Sequence, residues 1–292
     1  MKVLITGAGG LVGASQVSCC SAAGDDVVAH THQSLDICDA LSVERTVAEA
    51  NPDAIINCAA WTNVDGCEFD HERAFLVNAH GPENLARASR QVGATFVTIS
   101  TDYVFDGAKE GFYTQHDEPN PQSVYGASKL EGERRARESN PEAVIVRTGF
   151  VFGRGGKNFL STIVDRARRG ERMRAISDAR GTPTYAPDLA VRLRELALRG
   201  LPEVFHVVNS GNGASYVDFA RLALRAAEAD EQLIEPVSTS SLKRPATRPT
   251  NSCLRCLVSE SIGLAPMRDW EDAVRAFTSA RALAESGAPA PS

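Results

Sequence analysis

The stretch that decides the fold is Lys2-Val3-Leu4-Ile5-Thr6-Gly7-Ala8-Gly9-Gly10-Leu11-Val12-Gly13, at the start of the chain. Its first half is a short apolar run typical of a buried strand, and its second half carries the spacing of Gly7, Gly10 and Gly13. Between a strand and a helix, these glycines permit a tight turn, close approach of the backbone to a pyrophosphate and close helix–strand packing. The positive end of the helix also favours a phosphate. The stretch therefore predicts a dinucleotide-binding unit.

Outward from this stretch, short β-branched runs alternate with longer amphipathic segments. The expected strands, each buried on both faces, are 3–5, 27–29, 54–57, 95–99 and 143–146. The expected helices lie near 11–23, 40–50, 70–92 and 123–139. Such alternation is typical of βαβ units, so we predict an α/β protein with a Rossmann doubly wound parallel sheet.

After residue 148 the alternation of strands and helices becomes less regular, and Gly and Pro residues interrupt the predicted elements. Helices are expected near 158–170, 186–199, 215–228 and 269–281, a strand at 204–208 and a long polar loop at 238–251. We predict a dinucleotide-binding Rossmann domain over 1–148. A smaller mixed domain over 149–284 is predicted to bind mainly substrate, with some segments returning to the Rossmann core. Residues 285–292 are predicted to be a flexible tail.

The composition is that of an ordinary globular protein and excludes several partners. The 292 residues are 43% hydrophobic and 23% charged, with a net charge of −6. The basic residues are scattered and the net charge is negative, which argues against binding to nucleic acid. No apolar run approaches the ~20 residues that a membrane span needs. Seven cysteines without regular spacing, including the pair Cys253 and Cys256, favour plain thiols and a cytoplasmic location.

The end of the second strand bears on which dinucleotide binds. A unit selective for NAD usually places an acid there, bonded to the ribose 2′-hydroxyl. This chain has Ala29-His30-Thr31-His32-Gln33-Ser34, with no carboxylate before Asp36 and no arginine. Nothing there repels a 2′-phosphate, and Thr31, His32 and Ser34 can donate hydrogen bonds to one. NADPH is therefore the favoured cofactor, and NADH is also compatible with this strand end.

A candidate catalytic pair lies at the start of the helix near 123–139. Tyr125 and Lys129 are four residues apart and share one helix face. An ammonium beside a phenol favours the phenolate, so we expect Lys129 to lower the pKa of Tyr125. The fourth strand ends in Ser100-Thr101-Asp102 and places hydroxyls at the carboxyl edge of the sheet, where α/β proteins bind ligands.

Together these features resemble the extended short-chain dehydrogenase/reductase family, and within it the dTDP-4-dehydrorhamnose reductases. The stretches that carry the closer resemblance are Asn57-Cys58-Ala59-Ala60-Trp61-Thr62-Asn63-Val64-Asp65, Ser100-Thr101-Asp102-Tyr103-Val104-Phe105-Asp106-Gly107, Arg147-Thr148-Gly149-Phe150-Val151-Phe152-Gly153, Gly181-Thr182-Pro183-Thr184 and Arg248-Pro249-Thr250-Asn251-Ser252-Cys253-Leu254. The resemblance covers essentially the whole chain.

The resemblance implies NAD(P)H-dependent reduction of the C4 keto group of dTDP-4-dehydro-L-rhamnose to give dTDP-L-rhamnose. It implies that Tyr125 donates a proton to the sugar oxygen, Lys129 bonds the nicotinamide ribose and Thr101 bonds the reacting oxygen. The implied cofactor-binding residues are Gly7, Gly10, Leu11, Val12, Gly13, Asp36, Ile37, Ala59, Ala60, Trp61, Thr62, Tyr125 and Lys129. The implied substrate-binding residues are Thr101, Asp102, Tyr125 and Phe150.

Two alternatives stay open. One is a reductase of another nucleotide 4-keto-deoxysugar, because the reductases usually carry Trp where this chain has Phe150, which loses area and the indole N–H. The other is a non-catalytic regulatory relative that binds NADP, although Thr101, Tyr125 and Lys129 are all present. Sugar-nucleotide dehydratases carry an Asp-Glu pair where this chain has Asp102-Tyr103, so dehydration is not expected.

The expected partners are a nucleotide-sugar substrate, with no nucleic acid and no membrane. The chain is expected to be a monomer or a homodimer. Some relatives bind Mg²⁺ through glutamates at a dimer interface, but no residue of this sequence is assigned to a metal.

Overall fold

Strands and helices alternate along the first half of the chain. The computed structural model describes residues 1–156 and 158–286. The strands of this half are β1 (Lys2–Thr6), β2 (Asp26–His30), β3 (Ala54–Asn57), β4 (Thr95–Thr101) and β5 (Val144–Thr148). Its helices are α1 (Leu11–Ala22), α2 (Ala40–Ala50), α3 (Val64–Cys67), α4 (His71–Phe75), α5 (Gly81–Val92) and α6 (Val124–Ser139). A π-helical turn at Leu76–His80 joins α4 to α5, and a 3₁₀ turn at Asp102–Val104 follows β4.

The second half mixes short strands with longer helices. Its strands are β6 (Val151–Phe152), β7 (Met173–Ile176), β8 (Arg180–Gly181), β9 (Thr184–Tyr185), β10 (Val204–His206), β11 (Ala214–Ser215), β12 (Ile234–Val237) and β13 (Asn251–Ser252). Its helices are α7 (Phe159–Arg168), α8 (Ala186–Arg199), α9 (Tyr216–Ala226), α10 (Leu257–Ser261) and α11 (Trp270–Ser286). Of the tail predicted over 285–292, the first two residues end α11, and 287–292 lie outside the described residues.

The central sheet has six parallel strands in the order β10-β5-β4-β3-β1-β2. Strand β1 has β2 on one side and β3 on the other, so the chain reverses its direction across the sheet at β1. A crevice therefore opens at the carboxyl ends of β1 and β3, the position where doubly wound sheets bind ligands. The predicted fold class, a Rossmann doubly wound sheet with a smaller mixed second part, is confirmed.

The last strand of the sheet comes from the second half of the chain. Strand β10 pairs with β5, and Phe205 lies opposite Val146. Helix α8, from the same segment, packs on α1 and buries Leu189, Leu193 and Leu196 in the apolar core beside β1 and β3. The division at residue 148 stays a prediction, because these segments belong to the sheet that the first half begins.

Burial differs between the middle and the edge of the sheet. Every residue of β3 and of β5 is buried, as predicted for strands covered on both faces. The same prediction is wrong for β2, where Asp26 and Ala29 are exposed, because β2 is an edge strand. A separate apolar core in the second half is built around Phe152, Phe219 and Phe277. In the described ranges, no helix is long and apolar enough to cross a membrane.

Candidate active site

The turn between β1 and α1 depends on glycine at the predicted positions. Gly7 has a left-handed φ of +67°, and a Cβ on it would lie 2.6 Å from the backbone of Cys58 and Ala59. The Gly7 carbonyl accepts a hydrogen bond from the Gly10 N–H at 2.9 Å, and a Cβ on Gly13 would lie 2.1 Å from that same carbonyl oxygen. Helix α1 therefore starts directly against the strand, and no side chain caps its first N–H groups.

Two cavities meet beside this turn. The glycine-loop cavity has a volume of about 850 Å³, and the tyrosine cavity has a volume of about 490 Å³. The two share Gly10, Cys58, Ala59 and Ala60 and so form one continuous cleft. All but one of the implied site residues line this cleft, and the exception, Gly13, acts through its packing on Gly7.

The glycine-loop cavity has the chemistry expected of the adenosine half of a dinucleotide site. It combines the uncapped start of α1 with Asp36 and Ile37 on one wall and Trp61 on another. Arg73, from α4, also lines the cavity and lies over the Trp61 ring, with its guanidinium carbon 4.6 Å from the ring centroid. An arginine is absent from the end of β2 but reaches the cavity from another element.

Lys129 lies at the junction between α6 and the carboxyl end of β4. Its ammonium donates a hydrogen bond to the carbonyl oxygen of Ile99 at 2.7 Å. Burial lowers the pKa of Lys129 to about 8, although the carboxylate of Glu133 acts in the opposite direction. Since α6 presents Tyr125 and Lys129 on one face, both line the tyrosine cavity, together with Thr101.

The expected lowering of the pKa of Tyr125 by Lys129 is wrong. Burial raises the pKa of Tyr125 well above its ordinary value, and the neighbouring carboxylate of Asp102 acts in the same direction. The ammonium of Lys129 is hydrogen-bonded to a backbone carbonyl instead of the phenol. Tyr125 is therefore a protonated phenol, which is the form that a proton donor requires.

Asp102 places a buried carboxylate at the floor of the tyrosine cavity. It is 2% exposed, and its Oδ1 accepts a hydrogen bond from the Thr101 hydroxyl at 3.1 Å. Its Oδ2 is buried and has no hydrogen-bond partner among the described residues. Burial raises the pKa of Asp102 to about 6, and the hydrogen bond from Thr101 acts in the opposite direction. A buried polar atom without a partner is uncommon and suits a contact with a ligand.

A buried ion pair supports helix α6 from below. Arg147, on β5, donates to both carboxylate oxygens of Glu133, with Nη2 at 2.7 Å from Oε2. Glu133 also accepts a hydrogen bond from the Ser100 hydroxyl at 2.5 Å. The network joins the ends of β4 and β5 to α6, and so links the strand that carries Thr101 to the helix that carries Tyr125 and Lys129.

The predicted helix over 70–92 is interrupted by the π-helical turn, and the interruption serves the site. Asn78 lies in that turn, and its side chain accepts from the Trp61 N–H at 2.8 Å and donates to the Trp61 carbonyl at 3.1 Å. It also donates to the Ser128 hydroxyl at 3.0 Å, between Tyr125 and Lys129 on α6. One buried side chain thus holds a wall of the glycine-loop cavity to α6, and π-helical turns are frequent at functional sites.

Aromatic rings form the outer wall of the tyrosine cavity. Phe150 has a left-handed φ of +46° and stacks on Tyr216, with ring centroids 4.4 Å apart. Gly181 makes room for it, since a Cβ there would lie 2.5 Å from the Phe150 ring. Phe159 meets Tyr216 edge-on at 5.0 Å. The position that usually holds Trp in the reductases is thus part of a stacked pair in this chain.

Sequence reasoning missed several residues that line the cleft. Tyr103 lies beside Asp102, and Asn158, Phe159 and Tyr216 come from the second half of the chain. The spacing of the three glycines and that of Tyr125 and Lys129 identified the first-half residues, because each set lies within one turn or one helix and is close together in the sequence. No spacing signal relates Tyr216 to Tyr125, because only the tertiary fold brings them together.

Neither a metal site nor a disulfide is visible in the part of the chain that the structure describes. Within 1–156 and 158–286 there is no group of three or more His, Cys, Asp or Glu residues arranged to hold a metal ion. Cys253 and Cys256 are free thiols in this structure.

Comparisons with known proteins agree on one family. The family model described as the RmlD substrate binding domain matches residues 1–282. The dTDP-4-dehydrorhamnose reductase of Mycolicibacterium smegmatis is 39% identical over 100% of this chain and 89% of its own length. A probable dTDP-4,6-dihydroxy-2-methyloxan-3-one 4-ketoreductase of Streptomyces antibioticus is 37% identical over 94% of each chain. The crystal structure of dTDP-4-dehydrorhamnose reductase from Bacillus anthracis in complex with NADP is 35% identical, with a TM-score of 0.91 over 95% of this chain and 99% of that one.

Proposed function

The chain belongs to the RmlD substrate binding domain family of dTDP-4-dehydrorhamnose reductases, and we propose that it reduces the C4 keto group of dTDP-4-dehydro-L-rhamnose to give dTDP-L-rhamnose, with NADPH as the reductant. The observation that carries the proposal is the meeting of Thr101, Tyr125 and Lys129 in a cavity that opens into the glycine-loop cavity. Carbonyl reduction needs a hydride, a proton and stabilisation of the oxygen on which charge develops.

The chain's own residues supply the proton and the stabilisation. The bound dinucleotide supplies the hydride to the carbonyl carbon of the sugar. Tyr125, held as a phenol by its raised pKa, donates its proton to the carbonyl oxygen. The Thr101 hydroxyl turns its proton from the carboxylate of Asp102 to the same carbonyl oxygen and donates a hydrogen bond to it. Lys129 remains charged below a pH of about 8, the form in which its ammonium donates a hydrogen bond to the nicotinamide ribose.

Other residues of the cleft hold the two ligands. The N–H groups at Gly10, Leu11 and Val12 face the pyrophosphate, because the start of α1 has no capping side chain. Asp36 and Ile37 contact the adenosine, and Lys129 bonds the nicotinamide ribose. The free Oδ2 of Asp102 accepts a hydrogen bond from a sugar hydroxyl. NADH fits the same residues, since no group at the end of β2 selects against it.

A second candidate is a reductase of another nucleotide 4-keto-deoxysugar. Phe150 favours it, because a phenyl ring stacked on Tyr216 leaves more space against the sugar than the indole that the reductases usually carry. The Streptomyces antibioticus relative bears a 4-ketoreductase name with a different sugar, at 37% identity. The same chemistry and the same residues serve both candidates.

The test follows the absorbance of the reduced nicotinamide, with NADPH and then NADH, after addition of dTDP-4-dehydro-L-rhamnose. We expect rapid oxidation by the native protein. Tyr125→Phe should lower kcat by roughly 10²–10⁴-fold with an unchanged Kd for NADPH, because it removes only the proton donor. Tyr185→Phe is the matched control, since Tyr185 is buried outside the cleft and should leave kcat unchanged.

Two results would contradict the proposal. Normal turnover by Tyr125→Phe would remove Tyr125 from its role as proton donor. Tight binding of NADPH without oxidation by any nucleotide 4-ketosugar would instead favour the regulatory relative.

A further inference from the structure

The wall of the glycine-loop cavity at the end of β2 carries neither an arginine nor a lysine. Thr31, His32 and Gln33 line the cavity there, and a Cβ on Gly9 would lie 3.5 Å from the Thr31 side chain. Dinucleotide-binding folds place the 2′-hydroxyl of the adenosine ribose at this strand end. The hydroxyl of Ser34, which was expected to donate there, instead donates to the Thr31 carbonyl at 3.2 Å. A 2′-phosphate therefore meets no guanidinium or ammonium on this wall.

Arg73 brings a guanidinium to the same cavity from helix α4. Among the described residues that line the cavity, it is the one arginine or lysine. The side chain of Asp70 caps α4 by accepting a hydrogen bond from the Arg73 N–H at 3.0 Å. In the π-helical turn that follows, Leu76 and Val77 also line the cavity, and the Leu76 carbonyl accepts a hydrogen bond from the Cys38 thiol at 3.6 Å. Since Cys38 belongs to the segment that follows β2, α4 packs on the adenosine side of the cavity.

An aromatic ring, and not an ion pair, holds the guanidinium of Arg73. Its central carbon lies 4.6 Å from the centroid of the Trp61 ring, and Asn78 fixes Trp61 through both of its backbone groups. Within the described ranges, no carboxylate forms an ion pair with Arg73. A guanidinium over an aromatic face keeps its N–H donors free for a bidentate contact with a phosphate. Arg73 is therefore a cation without a counter-charge, at the wall of a cavity suited to a dinucleotide.

We propose that Arg73 binds the 2′-phosphate of NADPH and makes this chain select NADPH over NADH. The inference rests on the proposed function, in which a nicotinamide dinucleotide is the reductant. The pyrophosphate, which both cofactors carry, is held at the start of α1, where the N–H groups have no capping side chain. The 2′-phosphate is the anionic group that only NADPH carries, and Arg73 is the guanidinium in the described lining of the cavity. Recognition of this phosphate therefore comes from α4, with Thr31 and His32 as further donors from the end of β2.

The experiment measures the Kd values of NADPH and of NADH by fluorescence titration, without a sugar substrate. In the native protein we expect NADPH to bind at least ~10-fold more tightly than NADH, since charge-assisted hydrogen bonds to phosphate are strong. Arg73→Gln should weaken NADPH binding by about the same factor and leave NADH binding unchanged. Arg73→Lys should recover part of the loss, because it keeps the charge without the planar fork. A general disturbance of the cavity would weaken both cofactors, so the ratio of the two Kd values isolates the contact with the 2′-phosphate.

The matched control is Arg45→Gln, which removes an exposed arginine of α2 outside the cavity and should leave both Kd values unchanged. Native affinity for NADPH in Arg73→Gln would overturn the assignment of Arg73, and so would equal losses of NADPH and NADH affinity in that variant. Equal affinity of the native protein for the two cofactors would overturn the selectivity. These results leave the reductase proposal standing, because that proposal fails only if no nucleotide 4-ketosugar oxidises the bound cofactor.

Discussion

Glu133 is one turn of α6 beyond Lys129, so its carboxylate lies on the same helix face as the ammonium. It is buried, and its bonds to Arg147 and Ser100 keep its carboxylate in one position. Its negative charge raises the pKa of Lys129 against the larger opposing effect of burial. Cys58 follows β3, and burial raises the pKa of its thiol to about 12, so it carries no charge at the pH where Lys129 titrates.

These charges predict the alkaline limit of activity. A folded-state pKa of about 8 means that Lys129 loses its proton as the pH rises through 8, so kcat/KM should fall above that pH. Glu133→Gln removes the group that raises this pKa, and the alkaline limb should therefore move to lower pH by roughly one unit. The measurement is the pH profile of kcat/KM with saturating NADPH.

The control for this prediction is Glu138→Gln, an exposed carboxylate on the same helix, which should leave the limb in place. Because Glu133→Gln leaves Arg147 buried without its partner, at a cost of about 3–5 kcal/mol, the double variant Glu133→Gln/Arg147→Met provides a second measurement. A limb that stays near pH 8 in both folded variants would exclude electrostatic control by Glu133.

At the scale of single residues, the sequence predicts contacts between residues that are close along the chain. Tyr125 and Lys129 are found because their spacing is that of a helix face. Glu133 has the same spacing from Lys129, but its role depends on Arg147 from β5 and Ser100 from β4. The direction of the pKa shift at Tyr125 depends on burial within the tertiary fold, which no local pattern reveals.

Among the elements, the turn between β1 and α1 gives the sharpest prediction. Gly13→Ala would place a methyl group 2.1 Å from the Gly7 carbonyl oxygen, a backbone atom that cannot move without opening the turn. We expect this variant to lose at least ~10-fold in NADPH affinity and several degrees in Tm, because the start of α1 shifts away from the pyrophosphate. Fluorescence titration with NADPH and thermal unfolding measure the two effects.

Gly9→Ala in the same loop is the matched control. Its added methyl group would lie 3.5 Å from the Thr31 side chain, an ordinary contact, so affinity and Tm should stay near the native values. Equal behaviour of the two variants would contradict the packing argument for Gly13.

Element type was predictable from sequence, but the interruption between α4 and α5 was not. The apolar period over 70–92 indicates one helix, and the structure has a π-helical turn at Leu76–His80 within it. The extra residue in that turn is stabilised by the bonds of Asn78 to Trp61 and Ser128. Both partners lie on other elements, so the sequence of the helix itself carries no sign of the turn.

For the whole molecule, Asp25 joins the two halves of the chain. It follows α1, and it accepts hydrogen bonds from Arg194 on α8 at 2.6 and 2.9 Å and from the Met1 amino group at 3.1 Å. The hydrogen bonds from Arg194 and from the Met1 amino group lower the pKa of Asp25 to about 2, and Arg194 has the larger effect. The carboxylate is almost fully buried, so it is screened little by solvent.

The pKa of the Asp25 carboxylate is lower in the folded state than its value near 4 in the unfolded state. The bonds to this carboxylate therefore stabilise the protein above about pH 4, and this stabilisation is lost as the pH falls towards 2. Asp25→Asn should therefore lower the free energy of unfolding by about 2 kcal/mol at pH 7, and the difference should shrink between pH 4 and pH 2. Urea unfolding across this range measures it. The exposed neighbour Asp26→Asn serves as the control, and a difference that does not depend on pH would contradict the ion-pair argument.

The overall fold followed from the alternation of strands and helices, but the placement of strand β10 did not. A strand over 204–208 was expected, and its pairing partner was not identifiable, because 55 residues separate the end of β5 from the start of β10. Pairing with β5 depends on the apolar face of α8, which packs on α1. Pairing between strands so far apart in the sequence depends on the packing of the whole apolar core, which a local sequence pattern does not describe.

The position of β10 also has a consequence for synthesis of the chain on the ribosome. Until residue 206 has emerged, the free edge of β5 exposes unpaired backbone groups, and α1 lacks the cover of α8. The nucleotide-binding sheet therefore gains its last strand only after residues 149–206 of the second half have been synthesised. A nascent chain stalled near residue 148 would present an apolar edge to chaperones, and the protein would become protease-resistant in one late step.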